Sequence, residues 1–281
     1  MFRRFTLFAI MFALLACLVL RPYGSALAQD NKNQQDNKSQ QDSKNPTVDQ
    51  VVEAVVFAYG TRQGLEQVRR NGVERGRITR AIAEGRSEES TYVRYFIRGE
   101  NSLKDKVRID QKSPTADYAL VYDDGRTWGI LNGAAFIPRE EATANFLSHK
   151  RQDIDALLRY KEDGSTITLV GKDKQMGLDL FVVDLTDKEK RRTRYYISAK
   201  TLRILWLEYE QAPAAGGKPV KYMKRYYDYH AAQGTLVPYR TVLSEDGKQI
   251  QETRVLTVTY GIKMEEALFQ NPEAQTTATQ P

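Results

Sequence analysis

Cysteine is almost absent from this sequence: the 281 residues include one, Cys17, and only two histidines. Cys17 lies in an apolar segment near the N-terminus that we expect to be removed, so the remaining chain carries no thiol. Disulfide bonds, thiol nucleophiles, iron–sulfur clusters and zinc sites built on thiolates are therefore excluded for it.

Common catalytic motifs are also missing, with no Gly-x-Ser-x-Gly, no His-Glu-x-x-His and no phosphate-binding loop. His149 and His230 have no partner at triad or metal-ligand spacing, and we interpret both as surface or structural residues. Paired acids that lie far apart in a sequence leave no motif, so a hydrolase using carboxylates alone stays an alternative. We predict a protein that is not an enzyme and holds neither a metal ion nor a cofactor.

The chain has only one long apolar run, residues 5–20, which follows a short basic start. The triplet Ala26-Leu27-Ala28 beyond it is a small-residue cleavage signature. This order is typical of a secretory signal peptide, residues 1–28, cleaved after Ala28 so that the exported chain begins at Gln29. The run is short for a membrane-spanning helix, which needs about 20 residues. An uncleaved anchor and a lipid-modified Cys17 are the alternatives.

No segment concentrates charge of one sign. The chain has 42 Lys and Arg against 36 Asp and Glu, a formal net charge of +6. The predicted signal peptide contains three basic residues, Arg3, Arg4 and Arg21, and no acidic residue. Its removal would therefore lower the formal net charge from +6 to +3. Basic and acidic residues alternate elsewhere, as in TDKEKRR at residues 186–192. In an exported protein, this dispersed charge argues against nucleic acid as a partner.

Composition divides the chain into four parts. Residues 29–45 have no apolar side chain and repeat Gln, Asp, Asn and Lys, which predicts a disordered polar linker. Residues 273–281 are predicted to be a disordered tail. Residues 46–272 between them have the length of one large domain.

Hydrophobic spacing within that domain changes from helical to strand-like. Thr47 and Gln50 predict a capping box at the start of a helix that ends at Gly60. Residues 138–160 form a second helical pattern whose apolar stripe comprises Phe146, Leu147, Ile154, Leu157 and Leu158. Alternation predicts strands at residues 73–82, 90–98, 106–110, 118–122, 127–131, 165–171, 178–185, 192–198, 202–210, 220–229, 235–243 and 249–260. Short connections favour antiparallel neighbours, and so long a sheet is expected to curl or close.

Two stretches carry a family resemblance: KRYYDYHAAQGTLVPYRTVLSEDGKQIQETRVLTVTYG at residues 224–261 and YALVYDDGRTWGI at residues 118–130. Their strand and Asp-Gly hairpin order, with the initial helix and the helical insert, resembles the LolA-like family of periplasmic lipoprotein carriers. LolB and RseB are relatives within it. The resemblance covers nearly the whole domain and includes no invariant catalytic signature.

The resemblance implies a mainly β fold with helices (α+β). It implies a half-open antiparallel barrel of about 11 strands, with an N-terminal helix and a helical lid on the concave side. Members clasp the lid through an arginine of an early strand; Arg75, Arg77 and Arg80 are candidates here, and no motif selects one.

The implied function is that of a monomeric periplasmic carrier that holds lipoprotein or lipid acyl chains in an apolar cavity for delivery to the outer membrane. A partner protein in the inner or outer membrane is implied as well. The alternative is an RseB-like sensor or scaffold that binds a protein partner in the periplasm.

Strand alternation suggests which side chains line such a cavity. We assign Tyr227 and Tyr229 to the cavity side together with Val237 and Tyr239 of the following strand, and Arg225 to the rim. The proposed lining comprises Val93, Tyr95, Ile97, Leu120, Trp128, Ile130, Phe146, Leu157, Trp206, Tyr227, Tyr229 and Tyr239. Each buried methylene contributes about 0.8 kcal/mol, so an apolar lining could hold a lipid without any charged contact. The alternative is that these side chains form the core of an ordinary β-domain.

Overall fold

The computed structural model describes residues 45–82, 85–114, 116–212 and 216–271. The predicted signal peptide, Cys17 and the predicted tail lie outside the described residues, as does all of the predicted linker except its last residue. The four-part division of the chain therefore stays a prediction.

Helix α1 (Val48–Tyr59) begins with the predicted capping box. The Gln50 amide donates to the Thr47 hydroxyl at 3.2 Å, and the Thr47 amide donates to the Gln50 side chain at 2.8 Å. The helix ends at Gly60, whose φ of 130° suits glycine. Its apolar stripe is buried, and a short helix α2 (Arg62–Val68) follows.

In the described part of the chain, thirteen strands then form one antiparallel sheet, in the order β6-β5-β4-β3-β2-β1-β13-β12-β11-β10-β9-β8-β7. The strands are β1 (Asn71–Ala81), β2 (Ser87–Ile97), β3 (Lys106–Lys112), β4 (Asp117–Asp123), β5 (Arg126–Leu131), β6 (Ala134–Phe136), β7 (Thr166–Gln175), β8 (Leu178–Thr186), β9 (Arg192–Ser198), β10 (Ile204–Gln211), β11 (Val220–Ala232), β12 (Thr235–Glu245) and β13 (Lys248–Tyr260). Because β6 and β7 are edges, the sheet is not closed. The predicted fold class is confirmed; the extra strand β6 has only three residues, too few to show a period.

Three helices connect the two edge strands: α3 (Glu140–Arg151), α4 (Ile154–Leu158) and α5 (Tyr160–Asp163). The sequence predicts one helical segment here, and the structure interrupts it at residues 152–153. Asp153 has an extended backbone, and its carboxylate accepts from the Ile154 amide at 2.7 Å. A new N-cap therefore starts α4 and changes the direction of the chain. Short 3-10 helices occur at Ser102–Lys104 and Glu266–Phe269.

The face of the sheet that these helices cover is called the inner face below, and the opposite side the outer face. Helices α1 and α4 pack on the inner face of β8–β11 and form the packed core. Its fully buried members include Val52, Val55, Tyr59, Leu157, Val183, Tyr195, Ile197, Ile204 and Leu207. Among the described residues, no helix has the length and apolarity needed to cross a membrane.

Candidate functional site

A cavity of about 1250 Å³ lies between helix α3 and the inner face of the sheet. Strands β1–β4 and β10–β13 supply one wall, and residues between Arg139 and Asp155 supply the other. Ligand pockets commonly measure about 300–1,000 Å³. The cavity is therefore large enough for a ligand with one or more long chains.

The apolar part of the lining lies beneath α3. Phe146 of α3 is only 6% exposed and packs in one cluster with Phe96, Val107, Val237 and Tyr260 of the sheet. We call this group the lid cluster. The Phe96 and Tyr260 rings meet edge to face, with centroids 6.2 Å apart.

Gly72 makes that ring contact possible. A Cβ atom at this position would lie 2.7 Å from the Phe96 ring and 2.9 Å from the Tyr260 ring, closer than real side chains approach. The two aromatic rings therefore occupy the space that a side chain at position 72 would take.

A partly buried charge cluster ties α4 to the sheet. Arg69 Nη1 lies 3.2 Å from Asp155 Oδ1, and Arg98 Nη2 lies 2.5 Å from Asp155 Oδ2. Arg69 also donates to the Thr235 hydroxyl at 3.2 Å and to the Leu236 carbonyl at 2.6 Å. Burial would raise the pKa of Asp155, but Arg98 and Arg69 outweigh burial and hold that pKa well below its usual range.

A second polar group interrupts the apolar wall on β1 and β2. The Tyr92 hydroxyl donates to Glu74 Oε1 at 2.7 Å, and Arg94 lies 3.9 Å from the other carboxylate oxygen. The Arg94 guanidinium also lies 4.9 Å from the centroid of the Phe96 ring. Charged and aromatic side chains thus alternate on one wall, whereas the sequence suggested an apolar lining.

Lys224 of β11 points at the cavity and is 4% exposed. Its ammonium group donates to the Gln152 carbonyl at 2.7 Å, at the C-terminal end of α3. Burial lowers the pKa of Lys224, and the nearby Asp153 carboxylate partly opposes that shift. His149 of α3 also lines the cavity, and burial lowers its pKa to about 3, so the ring is neutral near neutral pH.

A separate set of contacts anchors the far end of the helical insert. Arg159 Nη1 contacts both carboxylate oxygens of Asp105, at 3.0 and 2.9 Å, and its Nε lies 2.6 Å from Glu162. Lys150 donates to the Ser102 carbonyl. These bonds tie α5 and the end of α3 to the connection between β2 and β3.

Comparison with solved structures identifies the fold. A DUF1329 family protein from Desulfovibrio piger aligns with a TM-score of 0.58 at 13% identity, over 84% of this chain and 100% of that chain. A LolA superfamily protein from Nitrosomonas europaea gives a TM-score of 0.56 at 12% identity, over 80% and 98%. The chain has the LolA-like fold.

A third solved structure, a Vibrio parahaemolyticus domain assigned to outer membrane lipoprotein sorting, gives a TM-score of 0.52 at 12% identity, over 71% of this chain and 89% of that one. No family model matches the sequence, and no curated protein matches it. At these identities the comparisons establish the LolA-like fold alone. The ligand chemistry of the cavity depends on the side chains that line it in this chain.

Two of the twelve residues proposed as lining, Leu120 and Phe146, do line the cavity. The other ten lie elsewhere in the described structure: Val93, Tyr95, Ile97, Trp128, Ile130, Leu157, Trp206, Tyr227, Tyr229 and Tyr239. Leu157 is fully buried in the packed core. Tyr239 packs beside the lid cluster, with its ring 5.0 Å from that of the exposed His230.

Strand parity explains why the proposed residues of β2 and β5 do not line this cavity. The register places Tyr92 opposite Gly76 and Phe96 opposite Gly72, on the inner face. The intervening apolar residues therefore face outward; they are Val93, Tyr95 and Ile97. On β5, Gly129 pairs with the inward Leu120, which turns Trp128 and Ile130 outward. In both strands, the more apolar set is on the outer face.

A β-bulge on β10 explains why Trp206 lies on the outer face. Ile204 pairs with Ile197 and Trp206 pairs with Tyr196, so Leu205 is an extra residue on β10. Ile204 thus packs in the core, while Trp206 stacks on Tyr196 at 4.7 Å on the outer face. The two-sided apolar character of this strand comes from a core on one face and an aromatic stack on the other.

Tyr227 and Tyr229 of β11 are separated by a residue with a left-handed backbone conformation. Asp228 has a φ of 53°, so residues 227 and 229 do not share a face as regular alternation would require. Tyr227 lies under the Arg240 guanidinium at 4.0 Å on the outer face, and Arg225 lies there too, not at the cavity rim. Tyr229 lies in the packed core and donates to the Ile204 carbonyl.

The polar lining was not predicted from the sequence. Arg94, Asp155 and Lys224 lie in segments that contain both charged and apolar residues, and nothing in those segments marks the charged residues as inward-facing. The sequence did contain one indication of the position of Lys224, because Lys224 alternates with Tyr222 and Tyr226 on one face of its strand.

None of the arginines considered for the lid (Arg75, Arg77, Arg80) bonds to the helical insert in the described structure, whereas Arg69 does. Within the same residues, no group of three His, Cys, Asp or Glu side chains could hold a metal ion.

Proposed function

We propose that this protein is an exported carrier that binds the acyl chains of a lipoprotein or lipid in the cavity beneath α3. We further propose that it works in the periplasm and delivers this cargo to the outer membrane. The N-terminal signal sequence supports export, and the LolA-like fold supports binding of an apolar ligand on the inner face.

The observation that carries the proposal is a large cavity whose apolar wall is covered by one helix. The described cavity measures about 1250 Å³, and the lid cluster lines it beneath α3. Each methylene that leaves water contributes about 0.8 kcal/mol, so a chain of ordinary length would gain enough to offset the cost of association. The Arg69, Arg98 and Asp155 cluster lines another part of the wall, where both guanidinium groups contact the one carboxylate.

Helix α3 is suited to admit a ligand. It buries only Phe146 and Ser148, and its N-cap, Arg139, makes no side-chain capping bond. Helix α4, in contrast, buries Ile154, Leu157 and Leu158. Elements that open to admit ligands come from the less stable parts of a structure, so α3 is the part of the insert that we expect to move.

A fluorescence titration with cis-parinaric acid tests the proposal. Val258→Trp places a large side chain in the cavity from β13, and Leu256→Trp places the same side chain on an exposed position of that strand. Wild-type protein and Leu256→Trp should bind the probe, and Val258→Trp should bind it about tenfold more weakly or not at all, a loss of about 1.4 kcal/mol or more.

Equal binding by both tryptophan variants would show that the probe does not occupy this cavity. Absence of binding to the wild-type protein would contradict the carrier proposal. Co-purification of a membrane protein with lipid-free wild-type protein would then favour a sensor or scaffold that binds a protein partner.

A further inference from the structure

The geometry points to a ligand more specific than an acyl chain: we infer that the cavity takes an amphiphile with an anionic group at the end of its chain, and that Lys224 binds that group. This inference rests on the proposed function, because it assigns the polar end of the same ligand. The anionic group is a carboxylate or a phosphate carried by a lipid.

Lys224 is a buried ammonium group that no carboxylate contacts directly among the described residues. It is 4% exposed, and within the described residues its hydrogen-bond partner is the neutral carbonyl of Gln152 at 2.7 Å. Among the described residues, no carboxylate lies within 4.0 Å of it. Burying a charge in this way is costly unless an opposite charge arrives, and the Gln152 carbonyl supplies only a neutral partner.

The nearest acid is already engaged. Asp153 Oδ1 accepts from the Tyr226 hydroxyl at 2.9 Å and from the Ile154 amide at 2.7 Å, where it caps α4. The Tyr195 hydroxyl donates to the Asp153 carbonyl at 2.9 Å and fixes the same residue from a second strand. Asp153 is thus held as a structural cap whose charge acts on Lys224 without a direct contact. Within the described residues the Lys224 ammonium has one printed acceptor, so it can donate further hydrogen bonds to a ligand.

A second cation extends the site. Arg80 of β1 lines the cavity and donates to Gln251 at 3.0 Å and to Gln111 at 3.4 Å. Glu88 faces it in register across β1 and β2, and no ion pair joins the two in the described residues. Lys224, Arg80 and His149 all line the same cavity, so three basic side chains contribute to its wall.

The lining is polarised in the way that an amphiphile requires. Lys224 lies on β11, with Tyr222 and Tyr226 beside it on the same face and with Leu243 opposite on β12. The lid cluster continues the lining away from Lys224, with Phe96 on β2, Val107 on β3 and Phe146 on α3, and with Val237 and Tyr260 on β12 and β13. A ligand with its anionic end at Lys224 would therefore extend its chain beneath α3.

Paired probes test the assignment: cis-parinaric acid and its methyl ester have the same chain, and only the acid is anionic. Wild-type protein should bind the acid about tenfold more tightly than the ester, as expected for a buried charge-assisted contact. Lys224→Met, which keeps the length of the side chain, should bind the two probes equally. Lys221→Met, on the outer face of the same strand, should discriminate as the wild type does.

A second measurement guards against a folding defect. Since Lys224→Met removes an unpaired buried charge, the ligand-free variant should unfold at a higher denaturant concentration than the wild type. Arg80→Met should reduce discrimination between acid and ester by a smaller factor, and it provides an independent variant if Lys224→Met does not fold.

Several outcomes would overturn the inference. If the wild type binds acid and ester equally, acyl binding stands and the anionic site is wrong. If neither probe binds, the proposed function fails and this inference fails with it. Displacement of the acid by inorganic phosphate alone would assign the site to a free anion instead of a lipid head group.

Discussion

Asp155 is the residue on which the buried charge of the cavity wall converges, since Arg69 and Arg98 both contact its carboxylate. Asp155→Asn would leave two guanidinium groups facing an amide. Because the carboxylate is 36% exposed and water can replace part of its contacts, we expect a loss of about 1–2 kcal/mol in the free energy of unfolding. Urea denaturation of the ligand-free protein measures it.

The control for this change is Asp124→Asn, since the Asp124–Lys104 pair is at 2.6 Å but more than half exposed on both sides. That variant should unfold as the wild type does. The folded pKa of Asp155 is below its unfolded value, so its contribution is present above about pH 4 and disappears as pH falls through the folded value. A wild-type advantage over Asp155→Asn that did not shrink in acid would contradict this account.

His149 gives a second pH dependence at the residue scale. Burial lowers its folded pKa to about 3, against an unfolded value of about 6.5, so the unfolded state binds more protons below about pH 6.5. Folded stability should therefore decrease as pH falls from about 7.5 to 5, and His149→Gln should flatten that decrease. His230→Gln, at an exposed position, should leave it unchanged; a flattening in both variants would contradict the assignment.

At the scale of elements, the helical insert divides into a loosely held part and a tightly held part. Helix α3 buries two side chains, whereas α4 is packed into the core and tied to Tyr195 and Tyr226 through Asp153. Amide hydrogens of α3 should therefore exchange faster than those of α4 in the free protein. Adding a fatty acid should slow exchange in α3, and equal protection of the two helices in both states would identify α3 as a fixed core helix.

The sequence predicted the helices and hairpins better than it predicted which face of each strand points inward. The capping box of α1 and the Asp124-Gly125 hairpin depend on local chemistry, and both were predicted correctly. The face of β2 could not be read from its apolar alternation, because Arg94 lies on the inner face with Tyr92 and Phe96. On β10 and β11, a bulge at Leu205 and the left-handed backbone of Asp228 shift the alternation within the strand.

At the scale of the whole molecule, the open sheet accounts for the cavity. The edge strands β6 and β7 do not pair with each other, and the helical insert that connects them lies over the inner face. The resemblance to the LolA-like family implied this architecture. It did not predict the charged lining, because buried charges are fixed by contacts between residues far apart in the sequence, as in Arg69 with Asp155.

The central claim is that the cavity beneath α3 holds an acyl ligand, and native mass spectrometry of the exported protein tests it most directly. Wild-type protein and Leu256→Trp should each carry a bound mass that dissociates as a lipid or an acylated peptide. Val258→Trp, with its cavity filled, should be recovered without it. A ligand-free wild type that also takes up no added fatty acid, or a bound lipid that Val258→Trp retains in full, would contradict the account.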